Sequence, residues 1–369
     1  MASSVRGRVS LALLLALLAL AAPVLPQSTG AAPLTVHANR AEPDFPNGIT
    51  FHLHADAPQP VVRLELRYYP AHSLVTRVAR PPAPGDRRVE VSHTVELRLT
   101  YLPPGVDVHY RWRLTLADGS IVETPEQTVF YMDERHPWQT LQSGLVTVYY
   151  YAGNPSFAQE ALDTTLRAIR RFDQAFGVTT DQPLRVVIYA NERDFAAALP
   201  AGSDDWVGGF AEPELGLIVV AIRPGDRGEI ARMLSHEVIH VVLDQATANP
   251  FNAPPPWLNE GIASYYQDVR DERFPAVLQR AVRSGQLDTV RALNSPFPAD
   301  PAAAILAYAE SESIVRFIIE TKGERAMADL LAVFREGVAY EAAVQRALGL
   351  TLDQLDQEWK AWLSAGQSA

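Results

Sequence analysis

Residues 236–240 read His-Glu-Val-Ile-His, and residues 257–261 read Trp-Leu-Asn-Glu-Gly. The first stretch lies in a segment with helical periodicity, so its two histidines, four residues apart, share one face of the helix. Both imidazoles can therefore reach a single metal ion. Glu237 is the residue after His236, so its side chain leaves the helix in a different direction. It cannot be a third ligand there, but it can take a proton from a metal-bound water.

A third ligand has to come from elsewhere in the chain, and Glu260 is the strongest candidate. His236 and His240 are the only histidines after His136, so no downstream histidine is available. A proline-rich loop separates His240 from Glu260 and lets a second helix return beside the first. Two nitrogens and one oxygen leave the fourth position of tetrahedral zinc open for water, as in catalytic sites. The alternative is that Glu260 is a solvated charge on a helix.

These stretches together resemble the gluzincin branch of the zinc metallopeptidases. Residues 134–365 are similar to the bacterial peptidase MA-like domains, including the stretch Ala-Tyr-Ala-Glu-Ser at 307–311. The resemblance implies a zincin-like α+β domain with a helical C-terminal part, and hydrolysis of peptide bonds in a peptide or protein substrate. It also implies Glu237 as general base and one Zn²⁺ per chain. The zinc ligands that it implies are His236, His240 and Glu260.

Tyr308 is the candidate donor to the oxyanion of a tetrahedral intermediate, because such an intermediate needs a hydrogen-bond donor and relatives often use a Tyr or His on a later helix. Tyr265 and Tyr266 are rivals for this role. The alternative for Tyr308 is packing on its own helical face. The carboxylates that could orient the ligating imidazoles are Asp244 and Asp268. A thermolysin-like aspartate is missing, since Ser264 occupies its position.

An edge strand is predicted at Trp206–Ala211. An extended peptide could pair with such an edge and align its scissile bond. Residues 209–212 faintly resemble an aminopeptidase motif in which a glutamate holds the substrate amine. Glu212 would be that glutamate, although an exposed turn residue is the alternative, so endopeptidase and aminopeptidase action both stay open.

Residues 33–133 alternate apolar and polar side chains with the period of half-buried strands. About seven strands in this length favour an all-β sandwich of the immunoglobulin or fibronectin-III type. From residue 134 the pattern becomes mixed. Residues 134–247 predict an α/β subdomain, with strands at Leu184–Tyr189 and Leu215–Ala221 and a helix from Pro155 to Gly177. Residues 248–365 predict a helical subdomain.

The N-terminus has the layout of a secretory signal peptide at residues 1–22. Two arginines precede an apolar run that ends in a small-x-small signal, which predicts cleavage near Ala21-Ala22. A membrane anchor is the alternative, but the run is short for crossing a bilayer. We expect a secreted or extracytoplasmic protein without a membrane span after cleavage.

Composition narrows the chemistry further. The 369 residues contain no cysteine, which excludes a thiolate zinc site, a cysteine nucleophile and a disulfide scaffold. The net charge of −11 disfavours a nucleic-acid partner. The sequence therefore predicts a secreted zinc metallopeptidase. The alternatives are a non-catalytic envelope or binding protein with a structural or remnant zinc site, and zinc-dependent hydrolysis of a substrate other than a peptide.

Overall fold

A computed structural model describes residues 33–97, 100–200, 202–203 and 208–366. The predicted signal peptide at residues 1–22 lies outside the described residues, as do Trp206 and Val207 of the predicted edge strand. In the described part of the chain, no helix is both long enough and apolar enough to cross a membrane.

Two antiparallel sheets make up the first part of the chain, in the orders β1-β2-β5 and β4-β3-β6-β7, with β8 also paired to β6. Their strands are β1 (Thr35–Asp44), β2 (Gly48–Asp56), β3 (Val61–Pro70), β4 (Arg77–Ala79), β5 (Arg88–Glu96), β6 (Val106–Leu116), β7 (Ile121–Glu123) and β8 (Gln127–Tyr131). The ring of Phe51 on β2 lies 5.9 Å from Tyr68 and 4.9 Å from Tyr110 of the other sheet, so the sheets pack face to face. The predicted N-terminal β region is present, and its immunoglobulin or fibronectin-III identity stays a prediction.

A third, mixed sheet follows in the order β12-β13-β11-β10-β9. Its strands are β9 (Gln139–Ser143), β10 (Val146–Tyr150), β11 (Leu184–Tyr189), β12 (Gly209–Glu212) and β13 (Leu217–Ala221). The three central strands are parallel, and both edge strands are antiparallel to their neighbours. The predicted strand at Leu184–Tyr189 has the predicted bounds. The strand predicted from Leu215 begins at Leu217, because Pro213–Leu215 form a 3₁₀ turn between β12 and β13.

The remaining elements are mostly helical. They are α1 (Pro155–Phe176), α2 (Glu192–Phe195), α3 (Arg227–Glu229), α4 (Ser235–Thr247), α5 (Pro256–Tyr266), α6 (Phe274–Ser284), α7 (Pro301–Lys322), α8 (Glu324–Arg335), α9 (Tyr340–Leu348) and α10 (Leu352–Gly366). Local signals set the ends of α1, where the Asn154 side chain accepts a hydrogen bond from the N–H of Phe157 and Gly177 ends the helix in the left-handed conformation. A π-helical segment at Ile230–Leu234 joins α3 to α4.

The third sheet is buried on both faces. Val186 and Ile188 of β11 point into the core formed with α1 and α4, whereas Val187 and Tyr189 point into the core of the β-sandwich. Strand alternation produces this division, since successive side chains leave opposite faces. From Val186 to Tyr189 the strand is an uninterrupted apolar run, as expected for a central parallel strand. The sandwich covers the face of the sheet that lies opposite α4.

Polar contacts reinforce this junction. Arg185 on β11 donates to the carbonyl oxygen of Gly105 (2.9 Å) and pairs with the carboxylate of Asp107. Gly105 has a φ of +96°, and a side chain there would meet Val187 at 2.8 Å. The residue is glycine for both reasons: the backbone conformation disfavours a Cβ, and the sheet leaves no room for one.

Helices α5 and α7 cross closely beside the 257–261 motif. Gly261 on α5 faces α7, and a methyl group at this position would overlap the carbonyl oxygen of Ser311 and approach Val315 Cγ2 at 2.8 Å. The absence of a side chain therefore lets the two backbones touch. Because Glu260 is the preceding residue, this contact also fixes where its carboxylate lies.

We predict that Gly261→Ala lowers the free energy of unfolding by at least about 2 kcal/mol, because the added methyl group forces α5 away from α7. Chemical denaturation measures the change. The matched control is Gly228→Ala in α3, where a Cβ meets only open space and an Asp226 oxygen at 3.5 Å. The control should leave stability unchanged or raise it slightly. Equal effects of the two substitutions would contradict the packing role of Gly261.

Helix α7 carries a buried carboxyl group next to Ser311. Glu310 is 0% exposed, and its Oε1 accepts a hydrogen bond from the N–H of Asp288 at 2.9 Å. Its Oε2 has no hydrogen-bond partner among the described residues. Burial raises the pKa of Glu310 to about 8, an effect that the Asp288 N–H and Lys360 oppose only in part.

We expect Glu310 to make the free energy of unfolding fall as pH rises from about 4.5, the ordinary pKa of a glutamate, to about 8. Over that range the unfolded chain releases a proton that the folded chain retains, which favours unfolding. Glu310→Gln should remove this slope and raise the free energy of unfolding at pH 9 by about 5 kcal/mol, with little change at pH 4. Denaturation curves across this range measure it, with Glu320→Gln on the exposed face of α7 as control. Parallel pH profiles for wild type and Glu310→Gln would contradict the prediction.

Candidate metal centre

Helices α4 and α5 bring the three predicted ligands together. Nε2 of His236 lies 3.3 Å from Oε2 of Glu260, and Nε2 of His240 lies 3.5 Å from the same oxygen. One nitrogen from each imidazole and one carboxylate oxygen all lie within 4.8 Å of one another. In the part of the chain that the structure describes, this is the one group of histidine and acidic side chains arranged to hold a metal ion.

The loop between α4 and α5 is held by its own side chains. The Asn249 amide donates to the carbonyl oxygens of Thr247, Asn252 and Phe334, at 2.8 to 3.0 Å. Helix α5 then begins at Pro256, a favourable first helical residue. Trp257 is fully buried, and its Nε1 donates to the Tyr340 hydroxyl at 2.7 Å. These contacts aim α5, and therefore Glu260, at the imidazoles.

Charges within the group reinforce each other. Burial opposes ionisation of Glu260, but the neighbouring imidazoles outweigh it and hold the pKa of this carboxyl well below its usual range. Burial likewise opposes the charged form of His240, but Glu260 outweighs it and raises the pKa of His240 to about 9. A carboxylate that stays ionised at all ordinary pH values is suited to binding a cation.

Each of the two imidazoles has an amide oxygen as the partner of its Nδ1 atom. Nδ1 of His236 lies 3.1 Å from Oε1 of Gln267, and Nδ1 of His240 lies 2.6 Å from Oδ1 of Asn259. Sequence reasoning missed both residues. Asn259 precedes Glu260 in the motif and could have been found from that position. Gln267 lies beyond the end of α5, and no spacing rule points to it.

The carboxylates considered for this orienting role lie elsewhere. Asp268 pairs with Arg171 and Arg167 on α1. Asp244 is not a hydrogen-bond partner of either imidazole, and burial, together with the charge of Glu214, raises its pKa. Ser264 lines the adjacent cavity and has no contact that replaces the missing aspartate.

The donor set fits a zinc ion. Both Nδ1 atoms face amide oxygens, so each carries a proton there, and Nε2 is the nitrogen whose lone pair would be available to a metal ion. Two neutral nitrogens and one carboxylate oxygen match the three protein ligands of catalytic zinc sites, which leave one position open. The amide partners also fix the orientation of the two imidazole rings, and so fix where a bound cation would lie.

A cavity of about 600 Å³ opens beside His236. Glu237 and Tyr308 both line it, and its apolar wall includes Phe274, Ala304 and Ile305. Its size is typical of ligand-binding clefts. None of the described residues that line the cavity belongs to the β-sandwich, which packs on the opposite face of the third sheet.

The two predicted catalytic side chains differ in environment. Burial raises the pKa of Glu237, although His240 and His236 oppose the shift. Burial and then the charges of Glu260 and Glu237 raise the pKa of Tyr308 well above its usual value, so its hydroxyl keeps its proton. The Tyr308 ring lies 6.3 Å from that of His236 and 5.1 Å from that of Phe297.

The rival tyrosines point elsewhere. Tyr266 donates weakly to Glu324 at 3.4 Å and packs on Phe176, and Tyr265 lies under Arg270. Neither residue lines the cavity. Tyr308 is thus the tyrosine placed beside the metal ligands.

The edge strand runs past the same cavity. β12 covers Gly209–Glu212, so the described strand starts later and ends one residue later than predicted. Gly208 and Gly209 line the cavity. A Cβ at Gly208 would overlap Met233 of the π-helical segment at 2.6 Å, and one at Gly209 would overlap Val220 at 2.8 Å. Glu212, the candidate amine-binding residue, is not among the lining residues. Burial and Glu214 raise the pKa of Glu212.

A profile of the Peptidase MA superfamily matches residues 164–365. The match spans more than half of the chain and contains both motif stretches. The chain belongs to the Peptidase MA superfamily. Membership of this superfamily is consistent with a metal at the group formed by His236, His240 and Glu260, and with a metallopeptidase-like function.

Other comparisons add little to the Peptidase MA assignment. No curated protein matches the chain. OgpA from Akkermansia muciniphila is 15% identical with a TM-score of 0.22, over 28% of this chain and 29% of its own. BC0361, a polysaccharide deacetylase from Bacillus cereus, is 7% identical with a TM-score of 0.24, over 85% and 86%. The chain therefore spans less than a third of OgpA, and at such TM-scores neither alignment bears on fold or chemistry.

Proposed function

We propose that this protein is a secreted zinc metallopeptidase that hydrolyses peptide bonds with Glu237 as general base. The observation that carries the proposal is the convergence of His236, His240 and Glu260 within 4.8 Å, next to a cavity that Glu237 also lines. Secretion rests on the layout of residues 1–22. The gluzincin assignment rests on Glu260 as the third ligand.

The residues present can hold Zn²⁺ through the two Nε2 atoms and the Glu260 carboxylate. When bound, the ion would polarise a substrate carbonyl and acidify a water molecule. Glu237 would take the proton from the attacking water and pass it to the leaving amine. Its raised pKa suits this exchange, because a carboxyl group with a pKa nearer neutrality both accepts and returns a proton.

Tyr308 would donate a hydrogen bond to the substrate oxygen as negative charge develops on it. Its hydroxyl stays protonated over the working pH range, because burial and the nearby carboxylates raise its pKa. The substrate backbone would pair with β12, whose outer edge faces no other strand among the described residues. Gly208 and Gly209 keep that edge free of side chains where it meets the cavity.

We predict that Glu237→Gln abolishes peptide hydrolysis while zinc content stays near one per chain, because the base is lost and the ligands remain. Cleavage of a broad peptide library and metal analysis of the same preparations measure the two quantities. The control is Glu229→Gln, a substitution in α3 at a residue outside the cavity. Full hydrolysis by Glu237→Gln would rule out its role as base. A zinc-loaded wild type that cleaves no peptide would support the non-catalytic alternative.

We predict that Tyr308→Phe lowers kcat by about 10²- to 10³-fold with a small change in KM, because the lost hydrogen bond forms in the transition state. Steady-state kinetics on the best library peptide measure it. Tyr265→Phe removes a hydroxyl from a tyrosine outside the cavity and should match wild type. If the two variants behave alike, Tyr308 has only a packing role.

A further inference from the structure

The amide of Gln267 is held in one orientation at the metal centre. Its Nε2 donates to the carbonyl oxygen of Val269 at 2.8 Å, so Oε1 is the atom that faces Nδ1 of His236 at 3.1 Å. A flipped amide would set an N–H against Nδ1 and its oxygen against the carbonyl. The orientation requires the proton of His236 on Nδ1, which leaves Nε2 as the metal-facing atom.

Gln267 follows the last residue of α5, and a separate set of contacts holds this segment. Nη1 of Arg171, on α1, donates to the carbonyl oxygen of Tyr266 at 2.6 Å. The same guanidinium pairs with the carboxylate of Asp268. Gln267 therefore lies between two residues that are tied to α1, and its side chain is only 7% exposed.

The His236 side of the pair is tied to the same segment. Ser235 Oγ accepts a hydrogen bond from the N–H of Asp268 at 2.8 Å. The Ser235 hydroxyl also donates to the carbonyl oxygen of Ala231 at 2.6 Å, within the π-helical segment. Contacts on both sides thus fix the distance between the imidazole and the amide.

The partner of His236 is therefore neutral. The carboxylate of the next residue, Asp268, is paired with two arginines on α1. A carboxylate partner raises the basicity of a ligating imidazole, whereas an amide oxygen orients the ring without adding charge. We propose that Gln267 is a positioning residue for His236. It sets the orientation of the His236 ring and makes Nε2 the nitrogen that faces the metal. The inference rests on the proposed metal site, and peptide hydrolysis is not required for it.

The test measures zinc affinity of the full chain by competition with a chromophoric chelator. Gln267→Met keeps the side-chain length and removes the acceptor, and we expect zinc to bind 10- to 100-fold more weakly. The Co²⁺ absorption spectrum of this variant should also change in shape, because the ring of His236 is no longer fixed. Gln267→Glu restores an acceptor at Nδ1 but loses the donor to the Val269 carbonyl oxygen, so its zinc affinity should exceed that of Gln267→Met.

The matched control is Gln245→Met on α4, where the amide has no hydrogen-bond partner among the described residues. It should bind zinc as wild type does. Gln267→Asn, whose amide is one methylene too short for the same gap, replaces the Met variant if that variant does not fold. The inference is overturned if Gln267→Met binds zinc within twofold of wild type, if the control weakens binding equally, or if Gln267→Glu binds as weakly as Gln267→Met.

These outcomes are separate from those of the proposed function. A wild-type protein that binds one zinc per chain but cleaves no peptide contradicts peptide hydrolysis and leaves the role of Gln267 intact. Normal hydrolysis together with unchanged zinc affinity in Gln267→Met contradicts only the role of Gln267.

Discussion

Two imidazoles on α4 and a carboxylate on α5 lie within 4.8 Å, and neither helix can set that distance alone. Three contacts outside the group set it. The loop amide of Asn249 fixes how α5 returns, the missing side chain of Gly261 sets how closely α5 approaches α7, and Arg171 holds the end of α5 against α1. The candidate metal centre is thus a product of the helical packing around it, and its rigidity is that of a close-packed core.

The third sheet separates two tasks. One face supports α1 and α4, and so carries the candidate metal centre; the other is covered by the β-sandwich. The sandwich contributes no described residue to the cavity. Its contribution is structural at this junction: it buries the side chains of Val187, Tyr189 and Val219, which would otherwise expose an apolar surface to water.

Sequence reasoning agrees with the structure where the deciding physics is local. The ends of α1 follow from Asn154 and Gly177, and the proximity of His236, His240 and Glu260 was expected from helical spacing and the scarcity of histidines. It failed where tertiary contacts decide. Met233 of the π-helical segment packs against Gly208 and Gly209, which are distant in sequence. Gln267 reaches His236 where Arg171 and Ser235 hold the residues on either side of it. The packing of the sandwich against the third sheet could not be predicted either, because an apolar strand has the same sequence pattern whichever element covers it.

The two-faced sheet has a consequence for modularity. The stretch that matches the superfamily begins at residue 164, inside α1, and omits β10 together with the whole sandwich. A chain cut to that stretch would lose a central strand and expose the far face of the remaining ones. The stretch that matches the superfamily therefore does not contain the whole of the sheet on which its own helices pack.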